Sequence, residues 1–211
     1  MTRITRTLLC WIGAAALTVA GETLALFNGK NLDGWTFDII DPEVKPDRIW
    51  SVADGILICK GRPPGVIRTE KDYGNYEITV EWRWPEGGKP GNSGLLVHCS
   101  TPRERFIWPK SLEVQLAHEN AGDFWMIGEK VTVPDATPQD RRWVKRQNNV
   151  EKPVGEWNTM RVRCEGDRIS VWVNGVLMNE GTDITAAKGA ICLQSEGAEI
   201  HFRKVELTPI Q

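Results

Sequence analysis

Thr159-Met160-Arg161-Val162-Arg163-Cys164-Glu165-Gly166-Asp167-Arg168-Ile169-Ser170-Val171-Trp172-Val173-Asn174-Gly175 reads as two short extended runs, each closed by a two-residue turn. Asn174-Gly175 is a strong hairpin signal, because both residues tolerate the positive φ that a tight turn between twisted strands demands. Two further runs, Ala190 to Gln194 and Glu199 to Leu207, follow, so the C-terminal third is predicted to be an antiparallel meander.

The same texture extends upstream. Tyr76, Ile78, Val80, Trp82 and Trp84 share one parity and Glu77, Thr79, Glu81 and Arg83 the other, the period of a strand with one face buried. The loop Pro85 to Gly91 ends that strand, and Gly94 to Cys99 resumes in extended form. No long amphipathic helix stands out, and Gly, Pro, Asn and Asp punctuate short runs throughout, so the chain is predicted to be all-β. Val133 to Val154, with its basic cluster Arg141 to Arg146, reads as a long excursion, either functional or a solvated surface loop.

A chain of 211 residues can bury a substantial core within one all-β domain, here expected over residues 22–211. Residues 1–21 have a secretory layout, with Arg3 and Arg6 before the apolar run Leu8 to Ala20. That run favours an exported protein, periplasmic or extracellular, over one with a stable membrane span. Cleavage would remove two of the 26 basic residues and none of the 28 acidic ones, taking the formal charge from −2 to −4. This balance gives no reason to expect nucleic acid as a partner.

Outside the leader, Cys59, Cys99, Cys164 and Cys192 form an even set. They are compatible with up to two disulfides in any of three pairings, or with four small buried thiols. Ten tryptophans against two tyrosines point to core filling or to platforms for sugar rings. Trp82, Trp84 and Trp172 sit in strand patterns and are expected in the core; Trp108, Trp125 and Trp143 lie in or beside loops, where either role is open.

Acid–base chemistry concentrates in Ser111 to Trp125. Leu112, Val114 and Leu116 fall on one parity and Glu113 and Gln115 on the other, which then lines something polar. Ala117-His118-Glu119-Asn120-Ala121-Gly122-Asp123-Phe124-Trp125 follows directly.

Several phrases, in order, resemble the secreted family named for 3-keto-disaccharide hydrolysis: Leu26 to Trp35, Trp50 to Gly55, Gly91-Asn92-Ser93-Gly94, Leu112-Glu113-Val114-Gln115, Gly155 to Asn158, Val173-Asn174-Gly175, and Gly189 to Gln194 with Phe202-Arg203. Together they span nearly the whole chain beyond the leader. The resemblance implies a concanavalin-like jelly roll, a sandwich of two antiparallel sheets with a concave face. It also implies a carbohydrate-active enzyme that cleaves a 3-keto glycoside or disaccharide, by elimination and hydration or by hydrolysis. A non-catalytic carbohydrate-binding module on the same fold is the alternative. Many members carry an aspartate soon after Glu-Val-Gln and an arginine near position 98; here Leu116 to Asn120 and His98 stand there.

In a 3-keto glycoside the ketone acidifies the hydrogen on C2. Cleavage then needs a base there, a donor or cation at the keto oxygen and an acid at the leaving oxygen. Glu113 and His118 are the candidate base and acid, with Gln115, Asn92, His98, Asp123, Trp125 and Arg203 as candidate substrate contacts. Each has a plainer reading. Glu113 could brace a loop, Arg203 could pair with Glu81 or Glu196, Asp123 could be a turn residue, and His118 is freed only if its strand stops near Ala117. No obligatory metal or cofactor is expected; calcium is conceivable, but no spaced Asp/Asn ladder supports it.

Overall fold

A computed structural model describes residues 21–210; the leader, with Cys10 and Trp11, lies outside the described residues. Its strands are β1 (Leu24–Ala25), β2 (Trp35–Ile39), β3 (Trp50–Ala53), β4 (Ile56–Cys59), β5 (Gly65–Thr69), β6 (Tyr76–Arg83), β7 (Gly94–Cys99) and β8 (Ser111–Gln115). There follow β9 (Phe124–Ile127), β10 (Arg142–Trp143), β11 (Asn158–Glu165), β12 (Arg168–Val173), β13 (Val176–Gly181), β14 (Ala190–Ser195) and β15 (Ile200–Pro209). They form two antiparallel sheets, a jelly-roll sandwich. One is ordered β13-β12-β11-β6-β15-β4-β3 with β1 beside β15; the other is ordered β10-β9-β8-β7-β14-β5-β2. Among the described residues no helix is long and apolar enough to cross a membrane.

The predicted C-terminal meander forms only over β11 to β13; β14 crosses to the second sheet between β7 and β5, and β15 lies between β6 and β4, because each sheet needs a central apolar strand to face the other. β11 pairs with β12, and β12 with β13 across Asn174 (φ 50°) and Gly175 (φ 83°), the double positive φ of a type I′ turn. In β6 the residues Tyr76, Ile78, Val80 and Trp82 are fully buried between the sheets and meet Leu95, Val97, Leu112 and Val114 from the facing sheet. Burying such side chains is worth about 2 kcal/mol each, which pins the register because a one-residue slip would turn every one of them outward.

Three further expectations change. Trp172 is not in the core: its parity in β12 faces outward, where Arg161 stacks on its ring at 3.9 Å from the centroid. The excursion Val133 to Val154 contains a two-residue strand, β10, that adds an edge to the second sheet. Strict alternation along β7 fails at its end, because His98 takes φ 54° where β7 and β14 slip register. His98 turns toward the core, edge-on to Tyr76 at 5.6 Å, and Cys99 moves to the opposite face beside Leu96 and Cys192. The four cysteines among the described residues are buried free thiols, and burial pushes Cys59 to about 11 and Cys164 to about 12.

Candidate active site

The outward face of the second sheet carries a cavity of about 210 Å³ over β7, β8, β9 and β14. β8 presents Glu113 and Gln115 to it, while Leu112 and Val114 stay in the core, the division its alternation predicts. Trp125 stands directly opposite Glu113 in the β8–β9 register and lines the same cavity.

Between Glu113 and β14 lies Gly94, and only a glycine fits. A Cβ there would come within 2.4 Å of Gln194 Oε1 and 2.7 Å of Glu113 Oε1. The missing side chain lets a carboxyl and an amide from the two flanking strands meet above β7. Both polar atoms of the Gln194 side chain and Glu113 Oε1 are buried without a hydrogen-bond partner. Groups in that state mark a place where a proton, water or ligand is needed.

A second carboxyl, Glu196, enters from just beyond β14, held beside Asn92 by an isolated bridge between their backbones. Burial raises Glu113 to about 8, the nearby Glu196 charge adds to the rise, and Gln194 and Arg141 oppose it. Glu196 is raised to about 7, again by burial, with Asn92 pulling the other way. Two carboxyls line one cavity and both are raised toward neutrality, the range that proton transfer at neutral pH requires.

Cations and aromatic rings complete the walls. Arg141 lines the cavity with its guanidinium 5.1 Å from the Trp125 centroid, close enough for a cation–π contact. Arg105 and Trp108 close a tight turn by exchanging backbone bonds of 3.2 and 3.0 Å. That turn exposes Phe106 at the rim, edge-on to Trp108 at 6.3 Å. Gln115 accepts from the N–H groups of Leu116 (2.9 Å) and Ala117 (3.0 Å) through Oε1. Its carboxamide thus ends the strand, and its amide N–H2 remains for the cavity.

The predicted residues therefore divide. Glu113, Gln115, Asn92 and Trp125 come together here. Asp123 is wholly buried next door, bound to Arg142 at 2.6 Å and to the Lys145 N–H at 2.7 Å, so it anchors the basic segment. His98, 1 % exposed, sits near the Gly74 carbonyl (3.3 Å) in the core and does not reach the cavity. Arg203 lies on the other sheet, paired with Glu81 and stacked on Trp157 at 4.6 Å, one of the two pairings left open by the sequence. β8 does stop at Gln115, which frees His118, but His118 faces a different cavity, beside Glu151.

Sequence reasoning overlooked Glu196, Gln194, Arg105 and Arg141 as site residues. Cys192, Gln194 and Glu196 share one parity, and that alternation could have put Gln194 and Glu196 on one face of the chain. The Arg141 position could not be read, since it depends on how the excursion folds back. Among the described residues no three His, Cys, Asp or Glu side chains gather as metal ligands.

Residues 22–208 match the family described as the 3-keto-alpha-glucoside-1,2-lyase-like domain, and the chain belongs to that family. Two solved structures from Parabacteroides distasonis, both provisionally described as glycosyl hydrolases, are similar. One is 22% identical, with a TM-score of 0.65 over 90% of this chain and 94% of its own. The other is 26% identical, with a TM-score of 0.63 over 89% and 98%. A carbohydrate-binding module, CBM66 from Bacillus subtilis, shares the fold at 14% identity, with a TM-score of 0.57 over 82% and 94%. A search of the curated proteins finds no match.

Proposed function

We propose that this member of the 3-keto-alpha-glucoside-1,2-lyase-like family cleaves a 3-keto glycoside in the cavity over β7, β8 and β14, with Glu113 and Glu196 as its acid–base pair. The observation that carries this reading is the presence of a buried carboxyl, Glu113, and a half-buried one, Glu196, raised to about 8 and about 7, in one open cavity with Arg105 and Arg141. Stacking and hydroxyl recognition alone need no such pair.

At neutral pH Glu113 keeps its proton and Glu196 is the member of the pair that ionises. The Glu196 carboxylate takes the proton from C2, and the C–H electron pair enters an enolate whose oxygen, on C3, is held by an arginine guanidinium. The enolate collapses to a C1–C2 double bond as the C1–O bond breaks, and Glu113 delivers its proton to the departing oxygen. Water then adds across the enone, with the carboxyls, their protonation reversed, able to serve as its base and acid. Trp108 and Phe106 offer ring faces to the sugar C–H groups, and Asn92 and Gln115 offer amides to its hydroxyls.

The test is to incubate the protein with a 3-keto glycoside and, separately, with its unoxidised parent. Release from the 3-keto compound, lost in Glu113→Gln, is the expected result. Saturable binding of either compound without release would replace this reading with that of a carbohydrate-binding module, the role printed for the CBM66 structure.

A further inference from the structure

We propose that a second cavity, of about 530 Å³ between the β8–β9 turn and the segment from Val144 to Pro153, is a separate binding site for a neutral, unoxidised sugar unit, built on the pair His118 and Glu151. Its volume is in the range of small-ligand sites.

The site is built from buried groups. The Glu151 side chain is 9% exposed, and its Oε1 accepts the Ala121 N–H at 3.0 Å, which fixes the carboxylate. Its Oε2 lies 3.5 Å from His118 Nδ1, and both atoms are buried with no other partner. The imidazole is one-third exposed and lines the cavity while its Nδ1 is buried against the carboxylate, so the remainder of the ring is what a ligand can meet. A proton on Nδ1, facing the carboxylate, leaves Nε2 as an acceptor for a hydroxyl.

The rest of the lining points to the class of ligand. Lys145 and Lys152 are balanced by Glu119 and Glu151, so a strongly charged ligand gains little overall. Asn148 and Asn149 each offer a donor and an acceptor, the pairing that vicinal hydroxyls require. Val144, Val150 and Met178 supply apolar surface for C–H faces. Arg142, bonded to both Asp123 (2.6 Å) and Asn120 (2.7 Å), ties together the wall between the two cavities, so the second site does not draw on Glu113 or Glu196.

This inference goes beyond the proposed reaction and is tested without it. Three histidines in the chain make the His118 ring signals easy to follow by NMR. Titration with methyl β-D-glucopyranoside is expected to move them saturably, leaving His98 in place, both in the wild type and in Trp108→Ala, which alters the other cavity. Asn148→Ala, loss of one exposed amide, is expected to weaken that binding by about three- to tenfold, as for one hydrogen bond, and to leave cleavage of a 3-keto glycoside unchanged. No saturable movement, movement with inorganic phosphate in place of the glycoside, or its loss in Trp108→Ala would each overturn the proposal. Failure of the reaction reading would appear instead as absent cleavage with the His118 response intact.

Discussion

Glu113 and His118 are five residues apart, yet they end in two different cavities with different ionisable neighbours. Glu113 sits on the regular part of β8, where burial first and the charge of Glu196 second raise its pKa to about 8. His118 comes after the strand has ended and finds a single buried carboxylate, which orients rather than repels it. The contrast teaches that strand geometry places a group on a face, whereas the neighbours brought by other strands decide its chemistry.

The sharpest way to break the contrast is Glu113→Gln. It preserves shape and removes the proton, and turnover of a 3-keto glycoside is expected to fall by about 10²- to 10⁴-fold. The division between the cavities fails if His118→Asn costs as much. Next comes the wall between them. Asp123→Ala leaves Arg142 and the Lys145 N–H without their buried carboxylate, and chemical denaturation is expected to show a loss of about 3 kcal/mol.

The pH dependence should also separate the two. Glu113 is a weaker acid folded than unfolded, so above pH 4.5 the unfolded chain ionises first and stability drains away until the pH passes about 8. Thermal melts should therefore show wild type losing up to a few kcal/mol between pH 5 and pH 9, with much of that loss absent in Glu113→Gln. The rate profile should be bell-shaped, with limbs near 7 and 8, and a flat profile would remove the pair from the reaction.

Smaller still is Gly94→Ala, whose Cβ would displace Glu113 and Gln194; a cost of about 1–2 kcal/mol in stability with reduced turnover is expected, and no change at His118. Arg203→Ala is the least. Its exposed pairing with Glu81 contributes less than about 1 kcal/mol, and turnover should not move.

Much of the frame was legible in the chain. Alternation in Tyr76 to Trp84 named the core face of β6, and Asn174-Gly175 named the turn after β12, because both are set within a few residues. The polar face of β8 was legible for the same reason. His98 was misplaced because a bulge, forced by register slip against β14, reverses parity, and nothing local announces it. Trp172 was misread because a large ring on a strand suits either a core or an outward stack on arginine.

The sequence by itself determined the all-β class, the turns and which side of β8 carries Glu113, since backbone period and positive-φ residues act over a handful of positions. Only the tertiary structure decided that Glu113 meets Gln194 above Gly94 and shares its cavity with Glu196, while His118 meets Glu151. Those partners arrive from 33 to 83 residues away, and a carboxyl's acidity depends on burial and nearby charge, quantities that exist only once the sheets have packed.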